Sequence, residues 1–194
     1  MTLGGRTLDA EGLVIGQSDA IYTYTGRMIR PLDPNPDDID IEDIAHALSM
    51  QCRFTGHLRK FYSVAEHCVL AARLVEPEQR LETLLHDASE AYLSDIARPV
   101  KKAPGFAETY HKYEAQLERA IQQRFGLPVG PMPDYVKKAD DRMLGVEIHE
   151  LCHPNFVDAY GVIPADGVSV QCWSPRMAEG FFLEDFVHYM AVRS

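Results

Sequence analysis

The stretch LLHDASEAYLSD, residues 84–95, decides how the chain is read. On an α-helix each residue advances by about 100°. That spacing sets Leu81, Leu85, Ala88 and Tyr92 on one apolar stripe and Thr83, His86, Asp87 and Glu90 on the opposite side. The polar side of a surface helix ordinarily mixes in Lys and Arg, yet neither occurs between Arg80 and Arg98. A His, an Asp and a Glu placed there can instead line a cleft. The adjacent His86 and Asp87 can both reach one metal ion, with one nitrogen and one oxygen. Glu90, one turn after His86, comes close enough to touch a water on that ion. Taken alone, this helix fits a solvated polar face equally well.

From Ile39 onward the chain reads helical almost throughout. IDIEDIAHALSMQ (39–51) is a first helix. Ser63 and Glu66 form a capping box, each side chain satisfying the other's backbone amide, and open a helix that stops near Pro77. Pro77 suits the first turn of the next helix, PEQRLETLLHDASEAYL. A loop with Pro99 and Pro104 leads to GFAETYHKYEAQLERAIQQRFG, with Gly126 as its C-terminal cap. Asp134 caps YVKKADDRMLGVEIHELCH, which Pro154 terminates; residues 154–173 read as irregular. Ser174-Pro175 opens the last helix, RMAEGFFLEDFVHYMAV. Before Ile39, IYTYTGRMIRPL is β-prone and predicts a short hairpin. The expected fold is a single all-α helical bundle over residues 39–194, with a small β or irregular segment (1–38) packed on it.

The composition bounds the function. The 194 residues are 46% hydrophobic and 25% charged, near the values of a globular domain. The net charge is −10, a poor basis for binding a nucleic acid polymer. A small phosphorylated molecule can still bind where a metal or a few placed cations meet the phosphate. No stretch approaches a membrane span, and the N-terminus lacks the pattern of a secretory leader. Cys52, Cys68, Cys152 and Cys172 make no C-x-x-C pair, so reduced thiols in a cytoplasmic protein are expected.

Two further positions join His86 and Asp87. His67 borders the apolar face formed by Val64, Cys68, Ala71 and Val75; alone it would be read as a core histidine. On the 135–153 helix one stripe runs Val136, Asp140, Met143, Leu144, Glu147 and Leu151. A carboxylate in such a stripe is costly without a cation, whereas Asp141 points to the side of Lys137, Lys138 and Arg142. His67, His86, Asp87 and Asp140 together offer two imidazoles and two carboxylates. That set suits Mn, Co, Zn or Fe, and Mg where more oxygen ligands join.

The order His, His-Asp, Asp resembles the signature of the HD-domain phosphohydrolases. SVAEHCVLAARL, HDASEAYLSDIARPVK and VKKADD extend the likeness to the bacterial 5′-deoxynucleotidases and to phage dATP triphosphohydrolases, over about residues 52–141. The resemblance implies an HD-type helical domain that releases phosphate from nucleotide 5′-monophosphates; triphosphate hydrolysis on the same site is the alternative. It implies metal binding by His67, His86, Asp87 and Asp140. It assigns activation of the attacking water to Glu90 and the sugar 3′-hydroxyl to Asp95, with Arg53 near the substrate phosphate. A Trp that walls the sugar in the deoxynucleotidases is Phe54 here, which leaves deoxy-versus-ribo selectivity open. Lys101, in the P-x-K element, reads equally as a phosphate ligand or a surface lysine. Both related groups are homo-oligomers, so a homo-oligomer is expected, through the 105–125 helix or the last one.

Three rival readings stand beside this one: a non-catalytic nucleotide-binding module, a structural helical bundle, and a zinc protease. The last comes from HELCH (149–153), which has H-E-x-x-H spacing. A third ligand in a recognisable context is missing downstream, and Pro154 ends the helix at the second histidine. His149, Glu150 and His153 are therefore expected to be dispensable for catalysis.

Overall fold

The computed structural model describes residues 2–3, 6–7, 19–160 and 164–193. Four two-residue strands precede the helices. They pair antiparallel as β1 (Thr2–Leu3) with β2 (Arg6–Thr7), and β3 (Ile21–Tyr22) with β4 (Met28–Ile29). The second pair is the hairpin expected around Tyr22 and Tyr24, turned at Gly26 with φ +83°. It is tied down by Asp43, which accepts from the Thr25 amide at 2.7 Å and hydroxyl at 2.9 Å. Ile29 reaches the main core. The rest of the expected 1–38 segment, residues 1, 4–5 and 8–18, lies outside the described residues.

The helices are α1 (Ile41–Met50), α2 (Val64–Ala72), α3 (Arg80–Leu84), α4 (Glu90–Leu93), α5 (Arg98–Lys101), α6 (Ala107–Arg124), α7 (Asp134–Leu151), α8 (Pro154–Tyr160) and α9 (Pro175–Arg193). Every residue of α2 is buried. Its sequence, VAEHCVLAA, is apolar almost all round, which only an interior helix can be. It packs against α1, α3, α7 and α9. The main core joins Leu48, Val69, Leu84, Ile121 and Phe182 from α1, α2, α3, α6 and α9. Each such side chain contributes about 1.5–3 kcal/mol of burial. No helix among the described residues is long and apolar enough to cross a membrane.

Most helix ends follow the local chemistry. Asp40 caps α1 by accepting from the Glu42 amide at 3.0 Å. Gly126, at φ +66°, closes α6 while the Leu127 amide reaches back to the Gln122 carbonyl at 2.8 Å. Asp134 is the first helical residue of α7 and Pro133 precedes it as the cap, so the expected Asp134 cap is corrected.

Three expectations change more. Residues 77–93 do not form one helix: a 3-10 turn (Pro77–Gln79) leads into α3, and residues 85–89 are turns before α4. The tighter i to i−3 bonds there, such as Ala88 N to Leu85 O at 3.1 Å, replace the α pattern. Residues 154–160 are helical rather than irregular. Pro154 ends no more than the preceding helix; its fixed φ lets it start α8. Half of the capping box holds: the Glu66 amide donates to Ser63 Oγ at 3.1 Å. The Glu66 carboxylate does not turn back. It accepts from the amides of Gln171, Cys172 and Trp173 at 2.8, 2.9 and 2.6 Å.

That carboxylate staples the 164–174 segment across the buried α2, and Cys172 adopts φ +56° to present its amide. Glu66→Ala would leave three amides without an acceptor and is expected to cost about 3 kcal/mol. Glu66→Gln, which keeps one acceptor, should lose less. Urea denaturation of both variants checks this, and equal loss in the two would contradict it.

Candidate functional site

His67 Nε2 lies 3.3 Å from His86 Nε2, 3.7 Å from Asp87 Oδ2 and 3.4 Å from Asp140 Oδ1. His86 Nε2 is 3.3 Å from Asp87 Oδ2. The four side chains come from α2, the 85–89 turn and α7. His67, His86 and Asp87 form a group that could hold a metal ion, and Asp140 stands beside it, against His67. The turn is what aims His86 and Asp87 together. The wheel drawn from the sequence put them on the right side, but the backbone that points them is not helical.

Both tautomers follow from the outer partners. The His86 Nδ1 is 2.7 Å from the Thr83 carbonyl, and a carbonyl only accepts, so Nδ1 carries the proton. The His67 Nδ1 is 2.5 Å from Glu147 Oε1. Arg53 and His67 overcome burial to hold Glu147 below the usual carboxylate range, so this Nδ1 is also the donor. The two Nε2 atoms therefore meet with lone pairs facing each other, a contact that needs a cation or a proton between them. Without a metal, a proton takes that place. Burial and Arg53 push His67 down, but Glu147 and Asp140 more than offset them and raise it to about 9. Burial opposes ionisation of Asp140 too, yet His67 and His86 hold it well below its usual range.

Glu147 is the residue that sequence reasoning missed. It is fully buried, holds His67, and accepts from Arg53 Nε at 3.1 Å. The signal was present: Glu147 follows Asp140 by seven residues on the same stripe, two turns on. Gln51 was also missed. It donates to the Glu90 carbonyl at 3.0 Å and accepts from the Asp95 amide at 3.0 Å, fastening the two together.

An open cleft of about 680 Å³ lies over the group, within the size range of small-molecule sites. Arg53, Phe54, His86, Asp87, Glu90 and Asp95 line it, as do Lys101 and Asp140. The structure thus brings all the expected site residues to one place, with His67 buried beneath. Their partners change two expectations. Arg53 pairs with Glu147 and, through Nη1, with Asp87 at 3.4 Å. Lys101 is not a free surface lysine: its Nζ donates to Glu90 Oε1 at 2.9 Å and to Glu114 Oε1 at 3.4 Å. Burial, then Asp87 and Asp95, push Glu90 up to about 8 against the pull of Lys101. Its Oε2 is buried and makes no hydrogen bond among the described residues. Phe54, at φ +55°, faces Phe156 edge-on with centroids 6.4 Å apart. Phe156 lies on α8, in the stretch expected to be irregular.

HELCH stands apart from this group. Helix α7 ends at Leu151, and Arg59 caps it by donating to the Cys152 carbonyl at 2.5 Å. His149 and Glu150 are exposed, and Glu150 accepts from the Val170 amide at 3.0 Å. His153 is exposed on the cleft wall.

No family model matches the chain. It is 40% identical over 169 residues to the uncharacterized protein YfdR of Escherichia coli (strain K12), a match that spans 86% of this chain and 93% of that protein. The chain belongs to the YfdR family. An uncharacterized protein of Rhodobacter capsulatus is 38% identical over 139 residues, covering 66% of this chain and 70% of its own length.

One consequence concerns pH. His67 rises from 6.5 to about 9 on folding, and Glu90 from 4.5 to about 8. Each group binds its proton more tightly in the folded state, so each contributes stability at low pH that disappears as pH rises through its folded value. In chelator, the melting temperature is expected to fall between about pH 6.5 and pH 9, and added divalent metal should reverse the trend. A melting temperature flat across that window in chelator would refute the protonated His67.

Proposed function

We propose that this protein is a divalent-metal-dependent phosphohydrolase acting on (deoxy)nucleotide 5′-phosphates. The observation that carries the reading is the charge and tautomer pattern around His67. Asp87, Asp140 and Glu147 bring three negative charges, and Arg53 offsets one. With both imidazoles neutral, two remain, and a divalent cation matches them. The donor spacing of 3.3–3.7 Å also suits one ion. Ligands at about 2.1 Å stand about 3.0–3.4 Å apart across octahedral to tetrahedral angles. Two imidazole nitrogens favour Mn, Co, Fe or Zn over Mg. The likeness of HDASEAYLSDIARPVK to the HD-domain phosphohydrolases supplies the reaction class.

Such an ion would polarise a phosphoryl oxygen and lower the pKa of water. The chain's own groups do the rest. Lys101 fixes one oxygen of Glu90, and the Glu90 carboxylate would act as the base toward the attacking water. A cation at the group favours the ionised form of Glu90 that this needs. Gln51 holds Asp95 in register with Glu90, and Asp95 meets the sugar. Phe54 and Phe156 form an aromatic wall that can carry the sugar or base.

Purified protein assayed on dNMPs, NMPs and dNTPs with Mn, Co, Mg and Zn tests the reading; absence of phosphate or triphosphate release across the panel would end it. His86→Ala is expected to lose bound metal and activity together. Glu90→Gln should retain metal and lose about 10²–10⁴-fold in turnover. The HELCH residues give a contrasting result. His149→Ala should keep both metal and activity, whereas a zinc protease would lose both and cleave casein as wild type.

A further inference from the structure

Six carboxylates line the cleft: Asp87, Glu90, Asp95, Glu114, Glu118 and Asp140. Glu118 is pushed up to about 7 by burial and by Glu114, a sign of how crowded with negative charge this wall is. A phosphate group entering here needs positive charge that is not already taken. The arginines and lysines on the wall are Arg53, Arg98 and Lys101. Arg53 is held by Glu147 and Asp87. Lys101 is held by Glu90 and Glu114. Arg98 is exposed; its carbonyl accepts from the Lys102 amide at 3.2 Å, but its guanidinium makes no hydrogen bond or ion pair with any described residue.

We infer that Arg98 is the side chain that grips the phosphate of the substrate. The inference rests on the phosphohydrolase reading above and names a residue that the resemblance leaves unassigned. Arg98 is well built for the task. It opens α5, with Pro99 beside it fixing the backbone. Lys101 sits three residues on, one turn away on the same short helix, and its bond to Glu90 ties α5 to the carboxylate that handles the water. The guanidinium is thus carried by a segment held in register with the reacting groups. Its free fork can meet two phosphate oxygens at once, which a lysine cannot do. Arg53 keeps a different role: it neutralises the buried Glu147 and Asp87 and so positions His67 and the metal group.

The test compares wild type, Arg98→Lys and Arg98→Ala, all loaded with metal. It follows bound metal, hydrolysis of the monoester that wild type cleaves best, and inhibition by inorganic phosphate. In Arg98→Ala, both KM and the phosphate inhibition constant are expected to rise about tenfold or more, the loss of one charge-assisted contact. Bound metal should be unchanged, and Arg98→Lys should fall between. If both constants stay within about twofold of wild type in Arg98→Ala, less than a typical hydrogen bond is worth, Arg98 does not hold the phosphate. A loss confined to kcat, with phosphate inhibition intact, overturns the inference as well. Failure of the functional reading looks different: wild type itself would then neither hydrolyse a monoester nor respond to phosphate.

Discussion

The imidazole of His67 is clamped inside the protein between two carboxylates of one helix. Glu147 accepts the hydrogen bond from Nδ1 and Asp140 stands against Nε2, from positions seven residues apart on α7. The imidazole itself lies on α2, the buried helix that packs against α1, α3, α7 and α9. This one side chain therefore joins the centre of the bundle to the floor of the cleft. Its burial is complete, so its charge state must be settled by named neighbours and not by water. Removing one partner from a buried charged pair typically costs about 3–5 kcal/mol. The ligand group and the interior packing accordingly stand or fall together.

The 85–89 turn is the second constraint. A continuous helix would have kept His86, Asp87 and Glu90 on one side but with neighbouring His86 and Asp87 about 100° apart. The turn instead brings His86 and Asp87 to the same point and starts α4 at Glu90. Leu81, Leu85 and Ala88 remain buried through the break. The apolar stripe expected from the sequence is thus real although the helix that suggested it is interrupted. Hydrophobic burial selects the face, while the tight turn bonds select the direction of the polar side chains.

Acidic residues carry much of the architecture. Glu66 gathers three backbone amides, Asp43 anchors the hairpin, Glu147 orients His67, and Glu90 and Glu114 share Lys101. In sequence these residues look alike, and a net charge of −10 suggests little beyond repulsion from nucleic acid. In the fold each sits where a donor or cation offsets the cost of burial. Those pairings leave the cleft rich in carboxylates and commit two of its three permanent cations.

By itself the sequence determined the helical class, the place of the longer helices, and the residues that come together around His67. These depend on local signals: apolar periodicity, caps at Ser63 and Gly126, and a carboxylate at Asp140 on an apolar stripe. HELCH shows the limit of such signals, since its spacing fits a ligand pair while its helix stops at Leu151 and leaves His149 exposed. Tertiary structure alone decided that Glu66 would reach the 171–173 amides and that Glu147 would fix His67. It also decided that Arg53 and Lys101 would be paired while Arg98 stayed free. Each of those outcomes joins groups 11 to 107 positions apart along the chain. Periodicity placed Glu147 on the Asp140 stripe but named none of these partners, because the partner of a buried charge is chosen by which helices pack together.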